Sequence, residues 1–330
     1  CEPWANREAP LKALKWMFDK EAPLLFRPQL DWDQWRWGLK FLAQCNDTAF
    51  ERNVQQIVAL GAYSHAALKD LVASTGIEYN RLERGIAHFY TDQKSFDAAG
   101  HAVELMRKFG VQRRLVSRDE LLKIEPAFKA YGDKITGGTY TSTDESGDAR
   151  VFTQELARRC AARGAQFLYG HDVLRLNKIG DAIDSVAVIA RNTGAGGQKD
   201  FILKGDAFVV ACGSYSAPLL RTVGVDLPIY PGKGYSATFP LLRPEGAPMV
   251  STIDDGKKIA MSRLGNVLRV AGTIELGGFD MSLDSPVARA PCHMLSRRIA
   301  EILPGVCDTR TPGEGRNPQS WTGRLPATPT

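Results

Sequence analysis

Apolar and polar residues follow two patterns along the chain, one typical of helices and the other of strands. Helical spacing marks residues 49–74 and 151–163, and Gly76 and Gly164 stand where these helices should end. From residue 229 to residue 274 the pattern changes to long alternating strands, which favours an antiparallel sheet. Mixed helices and strands therefore come first and a sheet follows, which predicts two structural units in one chain.

The stretch "DAFVVACGSYSAPLL", residues 206–220, predicts a strand that turns directly into a helix. Residues 209–211 form an apolar run suited to a buried strand, Gly213 permits a tight turn, and Ser214 or Ser216 can cap the helix. A glycine turn at a helix N-terminus presents free N–H groups to a flat, phosphate-bearing ligand. An ordinary joint between a strand and a helix fits the same residues, so both interpretations stay open.

The first forty-odd residues are rich in tryptophan and amphipathic. Trp35, Leu39 and Leu42 are spaced to share one face of a helix. Such a basic, tryptophan-containing helix could lie on a membrane surface, and it could equally pack onto the protein's own body. Five of the six tryptophans lie in this region: Trp4, Trp16, Trp32, Trp35 and Trp37.

Composition narrows the function classes. The net charge of +5 over 330 residues is mild and the basic residues are interspersed with acidic ones, so nucleic-acid binding has little support. The six cysteines are far apart and form no CxxC pair, which indicates reduced thiols in a cytosolic protein. No segment approaches the ~18 consecutive apolar residues of a membrane-spanning helix. The chain opens on Cys1 and ends within a loop-like stretch, and we expect a fragment.

Other candidate motifs fail on context. The glycine-rich residues 192–199 are flanked by strand-like residues, so Gly194, Gly196 and Gly197 are predicted to form a hairpin tip. Lys233 is followed by Gly234 and not by Ser or Thr, which excludes a phosphate loop. Cys212 has no partner base in the sequence and is predicted to be a small buried residue. The histidines lack metal-ligand spacing and no metal site is predicted: His65, His88, His101, His171 and His293.

Six stretches, in order and content, resemble the FAD-dependent D-amino acid dehydrogenases, within the wider superfamily of D-amino acid oxidase and glycine oxidase. They are "PLKALKWMF", "TGGTYTSTDESGDARVFTQELARRCAARGAQF", "DAFVVACGSYSAPLL", "DLPIYPGKGYSATFP", "VLRVAGTIELGGFD" and "WTGRLPATPT". The resemblance implies a two-domain flavoprotein that oxidises D-amino acids to 2-oxo acids and ammonia. It also implies FAD as cofactor and a membrane quinone, not oxygen, as electron acceptor.

The implied fold class is α/β plus α+β, with part of a Rossmann-like FAD domain interleaved with an antiparallel-sheet substrate domain. The expected division of the chain is a Trp-rich helical segment with a long helix (1–76), a first part of the substrate domain (77–140), a part of the FAD domain (141–225), a second, antiparallel part of the substrate domain (226–305) and the start of a C-terminal FAD segment (306–330).

The resemblance also implies site residues. Expected FAD contacts are Val173, Ala211, Cys212, Gly213, Ser214 and Gly323. The expected substrate contact is Arg324 as carboxylate clamp. Independently of the resemblance, Tyr235 and Lys233 on the first long strand of the sheet are candidates for residues that face the substrate, with the solvent face of that strand as the alternative. No acid or base residue is predicted, because a flavin accepts hydride from the Cα of a neutral amine and the protein supplies orientation and electrostatics.

Two departures from the family pattern stand out. The "GxGxxG" strand–turn–helix that holds the pyrophosphate is expected before Cys1, so we expect this chain alone to hold FAD weakly or not at all. The family's Gly-Leu-Arg-Pro appears here as Gly323, Arg324, Leu325 and Pro326, with Arg and Leu exchanged. In an extended segment a shift of one residue turns a side chain to the opposite face.

Two other functions compete with this interpretation. The first is another amine-oxidising flavoprotein of the superfamily, of the glycine or sarcosine oxidase type. The second is a non-catalytic chain that binds a membrane or a partner through its Trp-rich helices. The expected location is the cytoplasm, with peripheral association at the inner face of the bacterial inner membrane as an alternative.

Overall fold

The computed structural model describes residues 3–16, 22–191, 200–284, 286–310 and 319–330. The helices are α1 (Ala9–Trp16), α2 (Trp32–Gln44), α3 (Asp47–Thr75), α4 (Gln93–Lys108), α5 (Arg118–Ile124), α6 (Ala149–Ala162), α7 (Ser216–Arg221) and α8 (Pro286–Ile302). The strands are β1 (Leu24–Phe26), β2 (Ile86–Tyr90), β3 (Arg113–Ser117), β4 (Gly137–Thr141), β5 (His171–Ile179), β6 (Ala182–Ala190), β7 (Asp200–Lys204), β8 (Tyr230–Pro240), β9 (Ser251–Asp254), β10 (Ile259–Leu264), β11 (Val267–Leu276) and β12 (Gln319–Ala327). Short 3₁₀ helices span Pro126–Lys134, Gly213–Tyr215 and Pro244–Gly246.

Most strands join one large mixed sheet in the order β12-β8-β11-β10-β9-β2-β4-β3, and β1 pairs in parallel with β11. Strands β8 to β11 pair only antiparallel with one another, as the alternation between residues 229 and 274 predicted. A separate antiparallel sheet contains β5, β6 and β7. The predicted fold class, mixed α/β with an antiparallel part, is confirmed. The five-part division of the chain stays a prediction.

The hydrophobic core lies against one face of the large sheet. Alternate residues of β11, Leu268 and Val270, are fully buried there, and Leu295 and Ile299 of α8 pack in the same cluster. Each fully buried large apolar side chain stabilises the fold by roughly 1.5–3 kcal/mol. We call this side of the sheet the core face. Arg269, between the two buried residues, points to the opposite side, which we call the open face.

Local sequence signals set several helix ends. Gly76 ends α3 in the left-handed conformation, with φ of 61°, as predicted. The Asp148 side chain accepts hydrogen bonds from the backbone N–H groups of Arg150 and Val151 and so caps α6. Cap and stop residues therefore fix where these helices begin and end.

One side of helix α2 in the Trp-rich region packs onto the protein's own body. Trp37 of α2 is buried, stacks on Phe41 and donates its indole N–H to the Ala327 carbonyl at 2.9 Å. Trp35, Leu39 and Leu42 share the other side of α2 and are exposed. Within the described ranges, no helix has both the length and the apolar character needed to cross a bilayer.

The predicted buried strand at residues 209–211 is wrong for this structure. These residues form no strand, and the Val209 side chain is 92% exposed. A strand is stable only when neighbouring strands satisfy its N–H and C=O groups, and none pairs with this segment in the described part of the chain. The predicted helix beyond it is present as α7. The predicted hairpin strands are present as β6 and β7, whereas Gly194, Gly196 and Gly197 lie outside the described residues.

Candidate active site on strands β8, β11 and β12

Strand β8 lies between β11 and β12, and its alternate residues point to opposite faces of the sheet. Lys233 and Tyr235 point to the core face, in line with the buried Ala237 and Phe239. The open face carries the other set: Gly232, Gly234, Ser236 and Thr238. In β12, Arg324 lies opposite Lys233, and Gly323 lies opposite Gly234.

Two paired glycines on the open face leave room for neighbouring side chains of β12. Gly234 and Gly323 are paired neighbours, and neither carries a side chain that would cover the backbone. A Cβ at Gly323 would lie 2.0 Å from Trp321 Cη2, so the indole rests directly on this backbone. A Cβ at Gly234 would lie 3.2 Å from Leu325 Cδ1. The two glycines therefore leave room that the exposed Trp321 and Leu325 side chains fill.

Arg269 of β11 borders this glycine patch on the open face. Its Nη2 donates to Ser236 Oγ at 2.8 Å, and its Nη1 lies 3.3 Å from Thr238 Oγ1. The guanidinium carbon is 5.0 Å from the centroid of the Trp321 ring. Burial lowers the pKa of Arg269, and the Asp148 carboxylate partly opposes this.

The core face below holds a hydrogen-bonded tyrosine and carboxylate. Tyr235 Oη donates to Glu275 Oε2 at 2.7 Å, and Glu275 Oε1 lies 2.9 Å from Arg27 Nε. Burial, followed by the Glu275 carboxylate, raises the pKa of Tyr235 far above its ordinary value, so the phenol stays protonated. Lys233 Nζ donates to the Ser282 carbonyl at 2.6 Å. Both predicted substrate residues are thus buried on the core face, and their contact with a substrate stays a prediction.

Arg324 also lies on the core-face side of β12. Its Nη2 donates to the Phe279 carbonyl at 2.7 Å, and its guanidinium carbon is 5.5 Å from the Phe279 ring and 4.9 Å from the Tyr215 ring. Its Nε is buried without a hydrogen-bond partner in the described part of the chain. The residue that projects over the glycine patch is Leu325. Its contact with Gly234 fits the predicted change of face in this exchanged pair.

The turn that carries the predicted FAD contacts, residues 211–215, is called the cofactor turn. It lies next to β12, because its Tyr215 contacts Arg324. Gly213 has a φ of 55°, and a Cβ at this position would meet no atom within 4 Å. Ser214 Oγ is buried and has no hydrogen-bond partner among the described residues. Open space over a glycine and an unpaired hydroxyl fit the approach of a flat, polar cofactor.

Two details of this turn differ from the sequence predictions. The Ser216 hydroxyl accepts from the Cys212 backbone N–H at 3.1 Å, and neither predicted serine caps α7 with its side chain. Cys212 is exposed, so its assignment as a buried residue is wrong, for the same reason as for residues 209–211. The predicted contacts Ala211 and Gly213 are exposed alongside it.

Val173 is placed apart from the glycine patch, in β5 of the small sheet, with its side chain exposed. This sheet contacts the segment after the cofactor turn, since the Leu176 backbone N–H lies 3.4 Å from Thr222 Oγ1. The structure therefore brings together the turn residues, Gly323 and Arg324, while Val173 belongs to the neighbouring sheet.

Sequence reasoning missed Arg269, Trp321 and Glu275. A signal for Arg269 was present in "VLRVAG", where one arginine interrupts apolar residues at a position that must point away from the core. No comparable signal identifies Glu275, because its partner Tyr235 lies 40 positions away and only strand register brings them together.

Comparison with known proteins assigns this arrangement to a family. Residues 24–330 match the DAO family, described as FAD dependent oxidoreductase. The D-amino acid dehydrogenase of Dechloromonas aromatica (strain RCB) is 44% identical over 330 residues, covering 100% of this chain and 75% of the relative. The D-amino acid dehydrogenase of Paramagnetospirillum magneticum (strain ATCC 700264 / AMB-1) is 38% identical, covering 100% of this chain and 74% of that protein.

Solved structures show the same fold. Glycine oxidase from Geobacillus kaustophilus aligns with a TM-score of 0.64 and 22% identity, covering 82% of this chain and 67% of that one. L-proline dehydrogenase from P.horikoshii aligns with a TM-score of 0.63 and 16% identity, covering 84% of this chain and 67% of that one.

The chain belongs to the DAO family of FAD dependent oxidoreductases. It is a flavin-dependent enzyme, and the predicted FAD cofactor and the predicted resemblance to D-amino acid dehydrogenases are both confirmed.

Proposed function

We propose that this enzyme oxidises D-amino acids to 2-oxo acids and ammonia. The supporting observation is the contact between the cofactor turn and β12, where Arg324 lies 4.9 Å from the Tyr215 ring, in a chain 44% identical to a protein named D-amino acid dehydrogenase. A turn suited to FAD then lies beside the strand that carries the predicted substrate contact Arg324. The predicted FAD contacts in the turn and at Gly323 belong to this proposal, as does the outlying Val173.

Bound FAD supplies the hydride acceptor, so Cα loses a hydride and the amino nitrogen a proton before water converts the imino acid to the 2-oxo acid and ammonia. The residues of this chain orient the substrate. Gly234 and Gly323 allow the Trp321 and Leu325 side chains to lie close to the backbone, where they would shield a bound substrate from water. Lys233, Tyr235 and Arg324, proposed earlier as substrate contacts, are held by Ser282, Glu275 and Phe279.

The test uses the enzyme expressed from its natural gene and purified with FAD. D-Alanine and L-alanine are supplied separately with an artificial electron-accepting dye, and 2-oxo acid, ammonia and hydrogen peroxide are measured. We expect one 2-oxo acid and one ammonia per D-alanine, with turnover dependent on the dye. Turnover of L-alanine alone, or of neither, overturns the assignment of substrate, and peroxide formed without dye places the enzyme with the oxidases.

We further propose that electrons pass to a membrane quinone at the cytoplasmic face of the bacterial inner membrane. Support comes from α2, whose exposed side chains include two tryptophans and two leucines: Trp32, Trp35, Leu39 and Leu42. Apolar residues with tryptophan on one face of a helix suit the lipid interface. The five described cysteines are all free thiols, as a reducing compartment requires.

Vesicle co-sedimentation tests this surface. The variant Trp35→Ser/Leu39→Ser is compared with Leu60→Ser, which alters a similarly exposed leucine on α3. We expect wild-type enzyme and the Leu60 variant to sediment with anionic vesicles and the α2 variant to stay in solution. Equal behaviour of all three contradicts the membrane contact, and a separate assay with a short-chain quinone in place of the dye tests the acceptor.

A further inference from the structure

A cleft of about 430 Å³ lies between helix α2 and the end of helix α7. Its walls come from the charged side of α2 and from the segment that follows α7. Six residues line it: Asp33, Arg36, Arg221, Gly224, Val225 and Asp226. Lys40, one turn beyond Arg36 on α2, lines the smaller cavity beside it. A cleft of this size admits a small ligand or the head of a larger one.

Three cations and two carboxylates surround this cleft, so it keeps a net positive charge. The Arg36 guanidinium donates to both oxygens of the Asp226 carboxylate, at 3.0 and 2.7 Å. Arg221 donates only through Nη1, to Asp33 Oδ2 at 2.6 Å, and its Nε lies 3.8 Å from Asp226 Oδ1. The Lys40 Nζ lies 3.8 Å from Asp226 Oδ2, which is too far for a hydrogen bond. Within the described residues, Arg221 and Lys40 therefore keep N–H donors for an incoming anion.

The ion pairs of the cleft can exchange partners, because water reaches all of them. The five charged side chains are between 34% and 44% exposed. Ion pairs with this exposure contribute little to the stability of the fold. A guanidinium binds phosphate through the same paired hydrogen bonds that it forms with a carboxylate. A phosphate group can therefore join or replace the two carboxylates.

Arg36 stands at the border between the charged and the apolar sides of α2. Residues three and four apart are neighbours on a helix surface, so Arg36 lies beside Trp32 and Leu39 as well as Lys40. Trp32 is 74% exposed and Leu39 is 65% exposed. A helix that lies on a membrane places its apolar side chains at the acyl boundary and its cations among the lipid headgroups. With the apolar side of α2 in lipid, the cleft therefore lies at the depth of the lipid phosphates.

We propose that the cleft formed by Arg36, Lys40 and Arg221 binds the phosphate of an anionic phospholipid headgroup. The apolar side of α2 provides affinity for any bilayer, whereas the cleft adds a preference for anionic lipid, since cations at a negative surface gain binding energy. This inference rests on the proposed membrane contact of α2 and adds a defined phosphate site to it. Inorganic phosphate has the same chemistry, and the experiment separates the two sources.

The experiment measures the binding of FAD-loaded enzyme to vesicles by co-sedimentation. One set of vesicles contains phosphatidylcholine alone, and the other contains phosphatidylcholine mixed with phosphatidylglycerol. Arg221→Gln removes one cation from the cleft. Arg158→Gln on α6 is the charge-matched control, because Arg158 is 64% exposed and pairs with Glu155 away from the cleft. Thermal unfolding checks that each variant is folded, and inorganic phosphate is titrated into the same proteins by calorimetry.

A second pair of variants tests the opposite change. Asp226→Asn removes the carboxylate that engages Arg36 and Lys40, and it frees both cations for phosphate. Asp70→Asn, at an exposed position of α3, is its charge-matched control.

We expect the two cleft variants to act in opposite directions. Arg221→Gln should weaken binding to the anionic vesicles by about fivefold, the usual effect of one cation at an anionic surface, and leave binding to phosphatidylcholine unchanged. Asp226→Asn should strengthen binding to the anionic vesicles by a similar factor. Arg158→Gln and Asp70→Asn should both follow wild type, because their charges lie outside the cleft.

Three outcomes overturn the proposal. The first is an equal loss in Arg221→Gln and Arg158→Gln, which indicates an effect of net charge alone. The second is binding by Asp226→Asn that is no tighter than that of wild type. The third is inorganic phosphate that binds to wild type and not to Arg221→Gln while both proteins bind vesicles equally, which assigns the cleft to free phosphate.

The membrane contact of α2 can fail or stand separately. If wild type and Arg221→Gln bind anionic vesicles equally and only Trp35→Ser/Leu39→Ser stays in solution, the membrane contact stands and the phosphate site fails. If wild type binds neither kind of vesicle, the membrane contact itself is wrong and the phosphate site fails with it.

Discussion

Arg324 and Leu325 are consecutive in β12, yet their side chains lie on opposite faces of the sheet. The Arg324 guanidinium lies between β12 and the rings of Tyr215 and Phe279, whereas Leu325 Cδ1 lies next to Gly234 on the open face. Strand geometry causes this, because successive side chains alternate in direction. The order of these two residues therefore decides whether an arginine or a leucine borders the proposed substrate position.

The exchange Arg324→Leu/Leu325→Arg should place a guanidinium over Gly234. We expect the KM for D-alanine to fall by about tenfold, because a charged hydrogen-bond donor on this face then reaches the carboxylate. Steady-state kinetics with the dye as acceptor measures this. Arg324→Leu alone is the control, since it removes the contact with Phe279 without adding a charge to the open face, and it should not lower KM. An unchanged KM in the folded double variant contradicts the assigned faces.

Strand alternation was readable from the sequence, but the identity of each face was not. "PGKGYSATFP" shows that Lys233 and Tyr235 share one face and that Gly232 and Gly234 share the other. Which face is covered depends on α8 and on the register with β12, and neither can be inferred from β8 alone. The larger side chains of β8 fill the core face, and its glycines on the other face make room for Leu325 of β12.

Residues 206–212 show a different limit of sequence reasoning. Their apolar run describes what the segment can form, but the outcome depends on neighbouring strands. The turn and α7 were predicted correctly because a positive φ at Gly213 and a helical spacing are local properties. The partners of Arg269 could not be predicted, because the two hydroxyls lie 31 and 33 positions away in the sequence.

Tyr235→Phe should destabilise the fold. Removing the phenol leaves the buried Glu275 Oε2 without its 2.7 Å donor, which costs about 1–3 kcal/mol. The free energy of unfolding is measured with urea and compared with that of Tyr140→Phe, whose hydroxyl donates to the Arg84 carbonyl at an exposed position. Equal losses in the two variants contradict the importance of the buried bond. A fall in turnover at full folding supports the predicted contact of Tyr235 with the substrate.

Asp255 should make the stability of the folded protein depend on pH in the acidic range. Burial raises the pKa of this carboxyl, but the hydrogen bond with His88 and the nearby Lys258 outweigh it and hold the pKa below its ordinary value of 3.8. Because the pKa is lower in the folded state, the ionised carboxylate stabilises the protein above about pH 4. That contribution is lost as the pH falls through the pKa of the folded state. Thermal unfolding between pH 6 and pH 3 should therefore drop more steeply for wild type than for Asp255→Asn.

An exposed aspartate provides the control for this pH series. Asp70→Asn on α3 changes the same chemical group without removing a buried partner, and its profile should follow wild type. If the unfolding temperature of Asp255→Asn also follows that of wild type down to pH 3, the Asp255 carboxyl contributes nothing to stability over this range.

Cys212 offers a direct probe of the cofactor turn. Its thiol is exposed beside Gly213, whereas burial raises the pKa of the Cys307 thiol to about 12 and keeps it protonated. Because the thiolate is the reactive form, iodoacetamide should modify Cys212 in the folded protein and Cys307 only after unfolding. If the turn contacts FAD, adding the cofactor should slow modification of Cys212 several-fold and leave that of the half-buried Cys45 unchanged. Peptide mass spectrometry over a time course gives each rate, and a Cys212 rate that stays constant at saturating FAD would remove the turn from the cofactor site.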